Sequence, residues 1–126
     1  MNSRTWKLDI ASEQGTGVLV VAVAGRLGAD SSGRLQDVLL EAIDAGNRRI
    51  VVDLTAVDYL NSAGASALDV AFQHMTHAGG RLMFCGMQEP VRLVLDMTGL
   101  LASVTPVATR SEALRELGQP PQDPQR

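Results

Sequence analysis

The spacing of apolar residues along this chain switches repeatedly between a strand pattern and a helix pattern. Residues 18–23 and 50–54 are short, nearly continuous apolar runs rich in β-branched side chains, which is typical of strands covered on both faces. Between them, apolar residues recur at the three- and four-residue spacing of one helical face. The residues on that face are Leu35, Val38, Leu39, Ala42 and Ile43. This alternation predicts an α/β sandwich with a mostly parallel sheet.

Turn and cap signals divide the rest of the chain into elements. We predict a weak antiparallel edge strand at residues 7–10, then a turn at 15–17 that leads into the strand at 18–23. Helices are predicted at 32–45, 62–78, 89–98 and 109–117, and further strands at 81–85 and 104–107. Asp30 or Ser31 can cap the first helix, and Gly46 can end it. The sheet then has four to five strands and the fold about four helices.

Those elements make residues 1–117 a single domain. Residues 118–126 contain three prolines and almost no apolar side chains, so we predict a disordered tail there. In a parallel sheet the loops after the carboxyl ends of the strands gather at one edge. These loops are predicted at residues 25–31, 55–62 and 86–89, and a functional site is expected among them.

Composition excludes several classes of function. The formal charge of the 126 residues is −3, which argues against nucleic acid as a partner because phosphate backbones need a basic face. The longest apolar stretch, residues 17–25, is about half a membrane span, and the start lacks a secretory signal. The single cysteine, Cys85, fits a reducing compartment. We therefore expect a cytoplasmic protein with no direct membrane insertion.

The turn Asn61-Ser62-Ala63-Gly64 is the strongest candidate for a functional centre. Ser62 lies where the second helix begins, and helix starts favour negative charge. A phosphate on Ser62 would add about −1.5 to −2 charges. Small residues from Ala63 to Ala67 leave the first turn bare, which suits close docking of a partner. The alternative is an ordinary helix entry, because serine is a common cap residue.

Other reactive side chains lack the additional ligands or catalytic partner residues that a metal site or an active site needs. His74 and His77 lie three residues apart on one helix, but no third ligand is nearby, so a solvated helix face is favoured over a metal site. Asp53 ends a strand and either orients the site or caps a turn. Cys85 has no catalytic partner motif. The sequence has no nucleophile elbow, Walker loop or dinucleotide fingerprint, so we expect no enzyme activity, metal or cofactor.

The ordered motifs resemble one family. Gly25-Arg26-Leu27 precedes a helix, the segment from Ile50 to Gly64 reads IVVDLTAVDYLNSAG, residues 78–82 read AGGRL, and residues 95–100 read LDMTGL. This combination is similar to a STAS domain of the anti-sigma factor antagonist class, and the similarity covers about residues 7–117. It implies a sandwich of a mostly parallel sheet and helices.

The resemblance also implies partner switching. Unphosphorylated members of the family bind an anti-sigma factor that is also a serine kinase. Phosphorylation of a serine at the start of the second helix ends this binding, and a phosphatase, expected here to be of the PP2C type, restores the binding by removing the phosphate. ATP belongs to the kinase, and the matching acceptor is Ser62, with Asp53 supporting the site. The residues predicted to bind the partner are Gly25, Arg26, Leu27, Asn61, Ser62, Ala63, Gly64 and Ser66.

This chain departs from the family pattern at three positions near the acceptor. Asn61 replaces an aspartate, Ala63 replaces a second hydroxyl residue, and Gly28 stands where an aspartate often follows the first loop motif. These changes favour an alternative function, a non-switching scaffold or accessory subunit of a signalling or lipid-transport complex. A third alternative, a module that binds a nucleotide or another small ligand, is disfavoured because the sequence has no phosphate loop. An apolar edge strand leaves pairing between copies open.

Overall fold

The computed structural model of the chain describes residues 7–13, 17–104 and 106–118. Its sheet has the strand order β1-β2-β3-β4, with β1 antiparallel to β2 and the remaining pairs parallel. The strands are β1 (Lys7–Glu13), β2 (Val18–Leu27), β3 (Arg49–Leu60) and β4 (Arg81–Cys85). The helices are α1 (Ala29–Asp44), α2 (Ser62–His77), α3 (Glu89–Thr98) and α4 (Arg110–Gly118), with a 3-10 helix at Leu100–Ala102. The predicted mostly parallel sheet with an antiparallel first strand is confirmed.

Helices cover the two faces of the sheet unequally. The main core lies between one face and the buried sides of α1, α2 and α3, where Leu39, Leu68 and Leu95 meet strand residues such as Val52. A smaller cluster on the opposite face packs Val51 and its neighbours against α4. Because strand side chains alternate between faces, the continuous apolar runs of the sequence fill both clusters.

Strands β2 and β3 extend into the loops predicted at residues 25–31 and 55–62, as far as Leu27 and Leu60, so the loop predictions are wrong over residues 25–27 and 55–60. Pairing between the two strands shifts register after Ala22 and again between Gly25 and Arg26, and Gly25 adopts a φ of +94°. Such bulges add a residue to one strand and disturb its alternation. The apolar pattern therefore breaks inside the strands, and glycine marks a bulge where it was interpreted as a loop.

The first helix begins three residues earlier than predicted, at Ala29, and neither Asp30 nor Ser31 is its cap residue. Gly28 takes the cap position, and the Ser31 hydroxyl accepts the Gly28 N–H at 3.2 Å while donating to the Arg26 carbonyl at 2.8 Å. The predicted left-handed stop is confirmed, because Gly46 follows the helix with a φ of +108°.

The strand predicted at residues 104–107 is not formed. Val107 makes a single parallel bridge with Cys85, and Pro106 before it has no N–H to donate to a ladder. Thr105 lies outside the described residues, as do residues 15 and 16 of the predicted turn and residues 119–126 of the predicted tail. Gly118, assigned to that tail, is the last residue of α4. Among the described helices, none is long and apolar enough to span a bilayer.

Candidate functional site

The candidate turn lies at the carboxyl edge of the sheet, where α2 begins. Asn61 is the cap residue, and its Oδ1 accepts the N–H groups of Ala63 at 3.0 Å and Gly64 at 3.2 Å. Ser62 is therefore the first residue of the helix rather than its cap. With two of the free amide groups already occupied by Asn61, the Ser62 side chain is not needed to satisfy the helix start. It is exposed to solvent and free for chemistry.

Gly64 seats this helix start directly on the end of β2. A β-carbon at Gly64 would lie 2.5 Å from the Leu27 carbonyl oxygen and 3.1 Å from the Leu27 Cγ. The same carbonyl accepts the Asn61 N–H at 3.3 Å. Leu27 and Gly64 are both predicted to bind the partner, but both are buried. Their contact with each other fixes the position of the turn on the end of β2.

The outer surface of the α2 start carries hydroxyl groups and small side chains. Ser66 lies one turn after Ser62 and is also exposed, whereas Ala63 is half-buried. The first turn of α2 holds no acidic residue. The structure thus presents Ser62 on a bare helix end, without a carboxylate in that turn.

An arginine–aromatic pair adjoins the turn, and its aromatic member was missed in the sequence. The Arg26 guanidinium carbon lies 4.0 Å from the centroid of the Tyr59 ring, within the range of a cation–π interaction. Arg26 and Tyr59 are register partners on β2 and β3. Because Tyr59 falls in a segment predicted as loop, the cross-strand pairing that creates this contact had no signal in the apolar pattern.

Asp53 lies on the opposite face of the sheet from α2. Its carboxylate accepts the N–H and hydroxyl of Thr55, at 3.0 and 2.6 Å, and the Nε–H of Arg110 at 2.8 Å. Burial acts to raise the pKa of this carboxyl group, but the hydrogen bonds from Thr55 and Arg110 outweigh it and hold the pKa below its ordinary value. Asp53 does not end a strand as predicted, and it caps no turn, because β3 continues to Leu60. Its hydrogen bonds lie within β3, to Thr55, and across to Arg110 of α4.

Cys85 lies near Asp53 and is fully buried. Burial, together with the negative charge of Asp53, raises the pKa of the thiol to about 12. A thiol in this state is protonated at neutral pH and a poor nucleophile, so the position is that of a core residue.

The two histidines of α2 are both exposed and engage different groups. His74 Nε2 lies 3.0 Å from a carboxylate oxygen of Asp44 on α1. His77 Nδ1 lies 2.9 Å from the Gln73 carbonyl oxygen, to which it donates. Within the described ranges, no three His, Cys, Asp or Glu side chains are grouped to hold a metal ion.

Comparison with known proteins identifies the family of the chain. The STAS domain family profile matches residues 9–113. One relative is BtrV of Bordetella bronchiseptica, which is named as an anti-sigma factor antagonist. It is 32% identical to this chain over 97 residues, which cover 77% of this chain and 83% of BtrV.

Several solved structures share the fold. An anti-sigma factor antagonist from Mycobacterium paratuberculosis has a TM-score of 0.81 at 21% identity and covers 90% of this chain and 95% of its own. The Bacillus cell fate determinant SpoIIAA in its phosphorylated form has a TM-score of 0.70 at 17% identity, with 88% and 99% covered. At these identities the likeness concerns the fold. The family profile covers most of the chain, which confirms the resemblance in its motifs: the chain belongs to the STAS domain family.

Proposed function

We propose that this chain is an anti-sigma factor antagonist that is switched by phosphorylation of Ser62. In its unphosphorylated form it binds an anti-sigma factor that is also a serine kinase, phosphorylation releases the partner, and a PP2C-type phosphatase reverses the modification. The observation that carries this proposal is the exposed Ser62 hydroxyl at the first position of α2, which Asn61 leaves free.

The switch acts through charge on a surface that does not rearrange. A phosphate adds about −1.5 to −2 charges, and a partner that fits closely over Ala63 and Ser66 would face that charge without a matching cation. Because Asn61 Oδ1 already holds the Ala63 and Gly64 amides, the phosphate would not take over the helix cap. Release of the partner then follows from repulsion and steric bulk, with α2 unchanged.

Within this proposal the chain is a binding partner and not a catalyst. The kinase supplies ATP and the catalytic groups for transfer to Ser62. The chain supplies the acceptor hydroxyl and the docking surface, and it acts in the cytoplasm, where the sigma factor works.

The proposal is tested by calorimetric titration with the serine-kinase anti-sigma factors encoded by the same organism. We expect the wild type and Ser62→Ala to bind, and Ser62→Asp to bind at least roughly tenfold more weakly. Ser103→Asp is the matched control, because Ser103 is exposed and lies after the 3-10 helix, away from the start of α2. Mass spectrometry after incubation with kinase and ATP should locate the phosphate on Ser62. Equal binding by Ser62→Asp and the wild type would contradict the switch.

A second function, a non-switching STAS scaffold, is favoured by one observation. The first turn of α2 has no acidic residue, and Asn61 and Gly28 stand where the family pattern has aspartates, so a kinase has less charge to recognise. If the chain is such a scaffold, Ser62 should stay unphosphorylated when the chain is incubated with the kinase and ATP. The chain should also remain bound to its signalling or lipid-transport assembly under those conditions. The mass spectrometry above distinguishes the two.

A further inference from the structure

Arg26 is an exposed cation without an ionic partner among the residues that the structure describes. The ion pairs found there join His74 to Asp44 and Arg110 to Asp53. The described contact of the Arg26 guanidinium is the face of the Tyr59 ring, 4.0 Å away. An arginine that is ordered by a neighbouring ring but not neutralised retains its charge and its hydrogen-bond donors for another molecule.

The bulge in the sheet places this pair beside the phosphoacceptor turn. Pairing of β2 with β3 shifts register between Gly25 and Arg26, which brings Arg26 opposite Tyr59. A β-carbon at Gly28 would lie 3.6 Å from the edge of the Tyr59 ring and 3.3 Å from the Asn61 side-chain nitrogen. Arg26, Tyr59, Gly28 and Asn61 therefore form one continuous patch, here called the Arg26 patch, that ends at Ser62.

The geometry of the stack leaves the guanidinium suited to an anionic group. The guanidinium carbon lies over the Tyr59 ring, 4.0 Å from its centroid, and the N–H groups of a guanidinium can match the two oxygens of a carboxylate. Asp30 follows Arg26 by four residues and Asp58 precedes Tyr59, and both are exposed, but neither is ion-paired with Arg26 in the described structure. The ring also limits the side-chain freedom that binding would otherwise have to remove.

We propose that Arg26, held by Tyr59, binds a carboxylate on the docking surface of the partner protein and so determines which partner this chain accepts. This inference rests on the proposed function and adds the chemistry of its interface. It also gives the switch a second component, because a phosphate on Ser62 would repel the same carboxylate and weaken the positive field of Arg26.

The test uses the anti-sigma factor of the titration above, once the wild type has been shown to bind it. We expect Arg26→Ala to weaken binding by roughly three- to tenfold and Arg26→Glu by more than about tenfold. Raising the ionic strength should weaken wild-type binding more than Arg26→Ala binding. Arg115→Ala is the matched control, because Arg115 is also exposed but lies near the end of α4.

A charge exchange makes the assignment specific. The partner's acidic surface residues are changed to lysine one at a time, and one of them should restore binding to Arg26→Glu while weakening binding to the wild type. Urea unfolding of each variant verifies that the fold is retained. Wild-type affinity in Arg26→Glu would overturn the carboxylate assignment and leave the proposed function intact. Failure of the wild type itself to bind would remove the proposed function and this inference together.

Discussion

Gly64→Ala places a methyl group against the backbone of β2 at the point where α2 is seated. The new β-carbon would lie 2.5 Å from the Leu27 carbonyl oxygen and 3.2 Å from the Leu60 Cγ. A backbone carbonyl cannot move aside as a flexible side chain can, and this one also accepts the Asn61 N–H at 3.3 Å. The helix start must therefore lift away from the sheet or lose that hydrogen bond.

The magnitude follows from three contributions to the free energy of unfolding. Overpacking of a close contact costs about 1–3 kcal/mol, and a weakened buried hydrogen bond costs about 1 kcal/mol. Replacing glycine by alanine inside a helix returns about 1 kcal/mol. We expect Gly64→Ala to destabilise the chain by roughly 1–3 kcal/mol, which lowers the urea midpoint by about 1 M for an unfolding slope near 2 kcal/mol per molar.

The matched control is Gly33→Ala on α1. Gly33 is a helical glycine, and apart from its chain neighbours and the backbone of its own helix, no described atom lies within 4 Å of the position its β-carbon would take. We therefore expect this substitution to stabilise the chain by about 0.5–1 kcal/mol through helix propensity alone. Urea unfolding followed by circular dichroism measures both variants. If Gly64→Ala raised the midpoint as Gly33→Ala does, the close seating of α2 on β2 would be refuted.

Three further predictions concern the cap, the ion pair and the thiol. Asn61→Ala should destabilise the chain by about 0.5–2 kcal/mol in urea unfolding, because the Ala63 and Gly64 amides lose their acceptor; an unchanged midpoint would contradict the cap. The lowered pKa of Asp53 gives stability that is present above its unfolded pKa and lost as the pH falls through the folded one. In a series of urea unfolding curves at decreasing pH, the urea midpoint of Asp53→Asn should therefore fall less than that of the wild type. An equal fall in both proteins would refute this. Since the pKa of Cys85 is raised to about 12, Ellman's reagent at pH 8 should modify it far more slowly in the folded chain than in urea; equal rates would show that the thiol is accessible.

Element positions that depend on local signals could be predicted well from the sequence. The predicted ends of β4 agree with the structure, and α3 begins at Glu89 and is followed by Gly99 in the left-handed conformation. These boundaries are set by proline, glycine and capping residues, which act on their own neighbours. The position of Ser62 at the start of α2 could be predicted for the same reason.

Features that depend on pairing between distant segments could not be predicted. The bulges extend β2 and β3 through segments whose apolar pattern is broken, and the contact of Arg26 with Tyr59 exists only in the resulting register. The Gly28–Ser31 start of α1 likewise uses the Arg26 carbonyl as an acceptor. The position of that carbonyl depends on where β2 ends. The apolar pattern predicts that β2 ends at residue 23, whereas the strand continues to Leu27.

The structure separates two roles that an aspartate at position 61 would combine. Capping needs an oxygen acceptor for the Ala63 and Gly64 amides, which Asn61 supplies, whereas negative charge beside Ser62 is what the asparagine lacks. Asn61→Asp should keep the cap and stabilise α2 by about 0.3–1 kcal/mol through the helix dipole. If Arg26 receives a partner carboxylate, the same substitution should weaken the complex, because the added charge repels that carboxylate. We therefore expect Asn61→Asp to be more stable to urea than the wild type and to bind the partner more weakly. If both stability and affinity increased, the partner would not have a carboxylate opposite Arg26.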